Sequence, residues 1–195
     1  MCDKRPSPER YSSAPTHLAR IGMVARWQPV HQSHVPVLRA LCDRADHALI
    51  GSGSANQRDA RNPFSLPERT DMLRLALTGR DNYTLIPVPD LDDGPRWRAL
   101  VIQLFGPLDL FVTANPYVAS LLCADYPIVR PVALVPEPAR VAVEGAMVRR
   151  AMAQGDGWRD LVPAEVASYI ASWRLDDRFR REFGLYTLAL DTIVA

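Results

Sequence analysis

The sequence lacks the features that mark export, membrane insertion or disulfide bonding. Its three cysteines, Cys2, Cys42 and Cys123, are widely spaced and odd in number, which predicts free thiols in a reducing cytoplasm rather than a disulfide or a metal site. The longest apolar stretch, residues 99–113, is broken by polar residues and a Gly-Pro pair and is shorter than the roughly 20 residues of a membrane span. We therefore expect a cytoplasmic protein without a membrane partner.

No sign of charge dominates the chain. The 23 basic and 22 acidic side chains give a formal net charge of +1, and no basic stripe with interleaved aromatic residues occurs, so nucleic acid is not an expected partner. Any anion site has to be local. Residues 1–17 are polar and rich in Pro and Ser, without the apolar core of a secretory signal. They predict a flexible leader before a single domain over residues 18–195.

Short apolar runs alternate with helical patterns. The runs predict strands over 20–25, 47–52, 83–88, 108–113 and 128–135, and the patterns between them predict helices over 35–42, 66–78, 96–105 and 117–123. The second helix opens with Ser65 and Glu68 at the spacing of a capping box. The alternation indicates an α/β fold, a Rossmann-like parallel sheet of five strands with helices on both faces.

The last quarter of the chain turns helical. Helices over 145–154, 163–173 and 176–182 and an apolar segment over 185–194 predict a C-terminal helical cap. We assign its large aromatic residues to the core of the cap: Trp158, Tyr169, Trp173 and Phe179. Such a cap covers either an edge of the sheet or a partner chain.

The apolar run of the first strand ends in two histidines, His31 and His34. Pro29 breaks the strand and Pro36 suits the first turn of the following helix. Imidazoles at such a junction lie at the carboxyl end of a parallel strand beside a helix amino terminus, where phosphate is favoured. As an isolated pair they are more often ordinary turn or core histidines, and no third metal ligand lies nearby.

The whole string Ala25-Arg26-Trp27-Gln28-Pro29-Val30-His31-Gln32-Ser33-His34 resembles the phosphate-binding motif of the nucleotidylyltransferase superfamily, a strand followed by G-R-F/M-Q-P-x-H-x-G-H. It keeps the Arg, Gln, Pro and both His, and has Ala25 and Ser33 in place of glycines. Further segments resemble, in order, those of archaeal-type nicotinamide mononucleotide (NMN) adenylyltransferases over about residues 19–175: 51–52, 61–64, 67–69, 87–90 with Trp97, 113–116, 145–152 and 156–163.

This resemblance implies transfer of an adenylyl group from ATP, accompanied by Mg²⁺, to a pyridine mononucleotide, with NAD or a relative as product and pyrophosphate released. It implies no protein-bound metal. The implied catalytic residues are His31, His34 and Arg149. The implied ATP and phosphate ligands are Arg26, Gln28, Ser33, Gly145 and Arg150, and the implied mononucleotide ligands are Arg61, Asn62, Asp90 and Trp97. Taken alone, Arg149 and Arg61 are typical surface charges, Trp97 a core residue and Asp90 a turn former.

Three ligand-facing positions depart from the family pattern. Ser33 replaces a glycine, and the family's S-G-T-x-x-R reads Glu144-Gly145-Ala146-Met147-Val148-Arg149, so two hydroxyls are absent. These changes favour a shifted substrate, reduced activity or lost catalysis. The alternatives to the adenylyltransferase are therefore a non-catalytic nucleotide-binding or regulatory protein on the same fold and a related transferase with another acceptor or nucleotide. A homo-oligomer stays open, since relatives often assemble and the tail after Leu185 is apolar.

Overall fold

The computed structural model of the protein describes residues 17–192, with side chains to residue 189. Apart from His17, the predicted leader over 1–17 lies outside the described residues. The strands are β1 Leu18–Ala25, β2 Ala45–Ser52, β3 Tyr83–Pro87, β4 Leu110–Val112 and β5 Ile128–Val129. The predicted sheet is confirmed: its five strands are all parallel, in the order β3-β2-β1-β4-β5. Because the order reverses beside β1, a crevice opens at the carboxyl ends of β1 and β4.

Helices cover both faces of this sheet. They are α1 His34–Arg44, α2 Leu66–Ala76, α3 Gly94–Phe105, α4 Pro116–Leu122, α5 Gly145–Gln154, α6 Ala164–Ser172, α7 Leu175–Phe179 and α8 Leu185–Thr192. Apolar side chains of α1, α2 and α5 to α7 form one core with β1 and β2. Those of α3 and α4 form a second core on the opposite face. Among residues 17–192, no helix is long and apolar enough to cross a membrane.

Phe105 of α3 shows why β1 and β2 carry glycines. A Cβ added at Gly22 would lie 3.0 Å from its Cδ1, and one added at Gly51 would lie 3.0 Å from its Cζ. The ring is fully buried and rests directly on the backbone of both strands. The two glycines therefore permit a close approach of α3 to the sheet.

The fifth strand is much shorter than predicted. The prediction over 128–135 is wrong because pairing with β4 ends at Val129 and a single 3₁₀ turn, Pro131–Ala133, follows. Proline has no backbone N–H to continue the ladder.

The C-terminal cap also differs from prediction. Trp158 and Phe179 are buried as expected, but Trp173 is 69% exposed, because it follows the last residue of α6 and the chain then reverses at Arg174, whose φ is 50°. The predicted break between 182 and 185 is absent. A single π-helical turn, Arg180–Gly184, joins α7 directly to α8, and Leu185 and Tyr186 are exposed.

An ion pair ties the cap to α2. Arg178 of α7 donates to both oxygens of Glu68, at 2.5 and 2.8 Å, and to the Pro63 carbonyl at 3.2 Å. Glu68 also completes the predicted capping box with Ser65. Partial burial alone would raise the pKa of Glu68, but the hydrogen bonds from Arg178 and from the Ser65 amide hold it below its usual value. Both side chains are mostly shielded from solvent.

We predict that Arg178→Met lowers the free energy of unfolding by about 1–3 kcal/mol at neutral pH, because charge-assisted hydrogen bonds are lost. The pKa of Glu68 is lower in the folded than in the unfolded protein, so ionised Glu68 stabilises the fold fully only at a pH above the unfolded-state pKa. The difference in unfolding free energy between wild type and variant should therefore shrink as pH falls through the folded-state pKa. Urea unfolding at neutral and acidic pH measures it. The exposed Arg174→Met is the matched control, with about 0–1 kcal/mol expected; equal losses in both variants would contradict the prediction.

Candidate active site

The turn after β1 places both histidines in a compact group. Their rings stack with centroids 3.5 Å apart, and the His31 amide donates to His34 Nδ1 at 3.2 Å. Trp27, held in the left-handed region at φ 55°, lies edge-on to His34 and donates from Nε1 to the Gly51 carbonyl at 2.8 Å. The orientation of the histidines is thus fixed from β2 as well as from their own turn.

Gln28 connects this turn to two distant parts of the chain. Its buried side-chain amide makes two hydrogen bonds with the backbone of Phe64, Nε2 to O and N to Oε1, both 2.9 Å. Its own carbonyl accepts from Arg149 Nη1 at 2.7 Å. Gln28 therefore holds the turn through its side chain and its backbone, and its assignment as a phosphate ligand stays a prediction.

Arg149 is half-buried on α5 and faces a cavity of about 240 Å³. The cavity is lined by Arg26, Trp27, Gln28, His31, His34, Glu144, Gly145, Ala146 and Arg149. Burial, followed by the positive charges of Arg26 and Arg61, lowers the pKa of Arg149 to about 10. Three arginines from separate segments thus lie close enough to repel one another, which is the environment of an anion site.

The two histidines are neutral at physiological pH. Burial, and then the charge of Arg149, lowers the pKa of His31 to about 4. Burial and the neighbouring His31 lower the pKa of His34 well below its usual value. Nδ1 of His31 is buried and makes no hydrogen bond in the described part of the chain. A neutral imidazole keeps one N–H donor for a phosphate oxygen.

The amino terminus of α5 borders the same cavity. A Cβ at Gly145 would lie 3.1 Å from the Gln28 carbonyl and 3.1 Å from Arg149 Nη1, so glycine permits the close approach of α5 to the turn. Glu144 precedes the helix, is exposed, and makes no side-chain capping hydrogen bond. The first amides of α5 are therefore not covered by its carboxylate, and they supply partial positive charge to the cavity.

Two predicted phosphate ligands, Ser33 and Arg150, are not among the residues that line this cavity. The Ser33 hydroxyl is hydrogen-bonded to the backbone of Val141 and Val143. Arg150 is exposed on α5. Their assignment as direct ligands stays a prediction.

The predicted mononucleotide ligands are divided between two places. Asp90 and Trp97 line a second cavity of about 410 Å³ between the loops that follow β3 and β4, together with Leu91, Asp92, Asp93, Gly94, Asn115, Tyr117, Val118 and Leu121. A Cβ at Gly94 would collide with the Tyr117 hydroxyl, so this hydroxyl occupies the space that a side chain at 94 needs.

Arg61 and Asn62 belong to a tight loop beside the first cavity. Asp59 organises the loop by accepting hydrogen bonds from the Arg61 and Asn62 amides, at 2.6 and 2.8 Å, and from the Asn62 side chain. Burial alone would raise the pKa of Asp59, but these hydrogen bonds hold it below its usual value. The Arg61 side chain is exposed near Arg149.

Comparisons with known proteins show the family of the chain. The model of the cytidylyltransferase-like family matches residues 23–117. The chain is 34% identical to the nicotinamide-nucleotide adenylyltransferase of Pyrococcus furiosus, covering 80% of this chain and 85% of that one. It is 35% identical to the enzyme of the same name from Methanocorpusculum labreanum, over 75% and 87%.

The chain belongs to the nicotinamide-nucleotide adenylyltransferase family. The predicted membership of the nucleotidylyltransferase superfamily is therefore confirmed. A solved structure, a bifunctional NMN adenylyltransferase/ADP ribose pyrophosphatase of Francisella tularensis crystallised with AMP and a manganese ion, superposes with a TM-score of 0.66 at 15% identity. It shares the fold over 90% of this chain, which spans 55% of that longer protein.

One residue that organises the site received no role from the sequence. Arg69 of α2 is 1% exposed and donates to the carbonyls of Arg26 and Gly53, at 2.8 and 2.7 Å, and to that of Ser54 at 3.4 Å. Its position was readable: Arg69, Met72, Leu73 and Ala76 form the buried stripe of α2 at helical spacing. An arginine on such a stripe signals a set of buried acceptors.

We predict that His31 stays neutral from about pH 7 to 5, since its pKa is near 4. Arg149→Met should raise this pKa by removing a positive charge, and ATP should raise it further, because an anion favours the protonated ring. Two-dimensional NMR of the histidine rings measures both shifts, with Arg39→Met on the exposed side of α1 as control. A pKa of about 6.5 in the wild-type protein would contradict the assignment.

Proposed function

We propose that the protein transfers the adenylyl group of ATP to a pyridine mononucleotide such as NMN, forming NAD or a relative and releasing pyrophosphate. The observation that carries this proposal is the small cavity at the carboxyl edge of the sheet, where Arg26 and Arg149, with Arg61 close by, surround two neutral histidines. Relatives named nicotinamide-nucleotide adenylyltransferases that match most of the chain support it. We place the reaction in the cytoplasm, following the cysteine pattern.

In this reaction an oxygen of the acceptor's phosphate attacks the α-phosphorus of ATP. The bond from that phosphorus to the bridging oxygen breaks, and pyrophosphate leaves with the electron pair. Because no protein atom is the nucleophile, the chain's contribution is to hold two anions in line and to neutralise the charge that develops on the leaving group.

Each cavity residue has a role in that task. Arg149, held rigidly by its bond to the Gln28 carbonyl, and Arg26 neutralise the phosphates with donors that stay charged at every physiological pH. His31 and His34 each donate one N–H to phosphate oxygens. Gly145 lets the amides of α5 reach the ligand. Arg150, exposed on the same helix, contributes only its charge.

The residues fit ATP that arrives with its metal ion. Within the described part of the chain, no group of three His, Cys, Asp or Glu side chains is placed to hold a metal. Mg²⁺ commonly binds through substrate phosphates and water with few protein ligands, and when bound it neutralises the pyrophosphate. The positioning steps above belong to the arginines, histidines and helix amides.

We assign the acceptor's ring to the larger cavity. Trp97 offers a face for stacking on the pyridine ring. The carboxylates of Asp90, Asp92 and Asp93 give the cavity negative charge, and none of its lining residues is basic. The acceptor's phosphate would then lie toward Arg61 and Asn62, near the other arginines. NMN has the matching arrangement of charge, with an anionic phosphate and a cationic ring.

Glu144 lies at the edge of this site without covering the helix amides. Two unit charges about 4 Å apart interact by about 1 kcal/mol in water and by about 4 kcal/mol at the effective dielectric near a protein surface. Because Glu144 is exposed but lines the cavity, its repulsion of a phosphate lies between these figures and weakens affinity by at least roughly fivefold.

We predict that Arg149→Lys lowers kcat/KM for ATP by about 10²–10³-fold, because a lysine loses the forked donor geometry and the bond to Gln28. Pyrophosphate release from ATP·Mg²⁺ and NMN measures it. Arg39→Lys is the matched control and should change kcat/KM by less than about twofold. Binding of ATP and NMN by calorimetry with no wild-type turnover would instead establish the non-catalytic alternative.

We predict that the protein uses NMN at least about tenfold more efficiently than nicotinic acid mononucleotide, whose carboxylate would meet the acidic cavity. The kcat/KM for reduced NMN, whose ring is uncharged, should lie between the values for the other two acceptors. Asp90→Asn should narrow the preference, whereas Asp81→Asn, at an exposed position outside the cavity, should leave it unchanged. Ratios of kcat/KM decide the matter, and equal use of both acceptors would refute the assignment.

A further inference from the structure

The Ser33 hydroxyl joins two parts of the chain that are far apart in sequence. Its Oγ lies 2.5 Å from the Val141 carbonyl oxygen and 2.6 Å from that of Val143, and it accepts the Val143 N–H at 2.9 Å. A hydroxyl has one proton and two lone pairs. It therefore shares its proton between the two carbonyls while its oxygen receives the amide.

This is not the usual task of a serine at a helix start. Ser33 immediately precedes α1, where a serine oxygen ordinarily accepts from an amide of the first turn of its own helix. α1 has no such side-chain cap. The hydroxyl instead bonds to Val141 and Val143, which lie 108 and 110 positions later in the chain.

The segment that Ser33 holds leads directly to the cavity of about 240 Å³ that Arg149 faces. We call it the phosphate cavity, after the ligand proposed for it. Residues 141–144 have no regular secondary structure and are largely exposed, and α5 begins at the next residue, Gly145. On the cavity side, the first turns of α5 meet the turn after β1 through Gly145 and through Arg149 bonded to Gln28. Ser33 secures the approach to the same helix end from the side of α1.

We propose that Ser33 is a positioning residue: through the backbone of Val141 and Val143 it holds the amino terminus of α5 in place beside the phosphates of ATP. This rests on the function proposed above. Ser33 then does not touch the nucleotide, and the serine at this position contributes to ATP binding rather than obstructing it.

The consequence falls mainly on binding. The amides of α5 meet the phosphates in the ground state as well as in the transition state, and Arg149 keeps its own bond to the Gln28 carbonyl, so loss of the Ser33 hydroxyl should raise KM for ATP more than it lowers kcat. A role limited to fold stability would lower the melting temperature and the active fraction without moving KM.

Steady-state kinetics of three variants test the proposal. We expect Ser33→Ala and Ser33→Gly to raise KM for ATP about tenfold, the scale of one or two lost hydrogen bonds, with kcat within about twofold. Ser33→Thr keeps the hydroxyl and should stay close to wild type. The control is Ser172→Ala, whose hydroxyl bonds within its own helix, to Tyr169, and KM should not change.

Ser33→Gly distinguishes a positioning role from simple obstruction, because the two predict opposite changes in KM for ATP. If the Ser33 side chain merely obstructs the nucleotide, Ser33→Gly lowers KM for ATP, and the proposal is overturned. It is overturned equally if Ser33→Ala and Ser172→Ala give the same KM, whatever their melting temperatures.

Amide hydrogen exchange tests the positioning without any substrate. Loss of the Ser33 oxygen should speed exchange of the Val143 amide and of the first amides of α5 in Ser33→Ala, but not in Ser172→Ala or Ser33→Thr. Unchanged exchange would refute the proposal even if the kinetics agreed. A wild-type protein that forms no dinucleotide would refute the proposed function, while exchange and calorimetric titration with ATP·Mg²⁺ would still decide the role of Ser33.

Discussion

The carbonyls just after β1 and β2 are partly or fully shielded from water and need hydrogen-bond donors, and Arg69 supplies them. Its buried guanidinium binds the carbonyls of Arg26, Gly53 and Ser54, so the loops after the two strands keep a fixed relation to α2. An unpaired buried carbonyl would cost about 1–3 kcal/mol. Gln28 then fixes the loop that contains Phe64, and Arg149 binds the Gln28 carbonyl. The phosphate cavity depends on all of these hydrogen bonds.

The same hydrogen bonds explain how the cavity keeps several arginines close together. Arginines that repel one another would separate if they were free to move. Arg149 is held by a carbonyl, which accepts its hydrogen bond without neutralising its charge, and the histidines beside it avoid further repulsion by staying unprotonated. Under the proposed function, the positive charges are therefore in place before the phosphates bind, which lowers the cost of ordering the site.

Much of this was readable from the sequence where the signal is local. The limits of α5 and the capping box at Ser65 agree with prediction, because both depend on neighbouring residues. The partners of Ser33 and Arg69 were not readable, since they lie in other segments. Trp173 was misassigned because hydrophobicity carries no information on the chain reversal at Arg174. The short β5 was the exception: Pro131 already signalled it.

The hydrogen bonds that build the cavity and fasten the cap join residues far apart in sequence. Gln28 pairs with Phe64 across 36 positions, and its partner Arg149 lies 121 positions away; Ser33 and Val143 are 110 positions apart and Pro63 and Arg178 115. In a chain synthesised from its amino terminus, the last strand ends at Val129, so the contacts of Val143, Arg149 and Arg178 can close only after all the strands have been made. The nascent protein therefore completes this cavity only after α5 has been made, and a chain truncated ahead of α5 would keep the histidines without Arg149, which lines the same cavity.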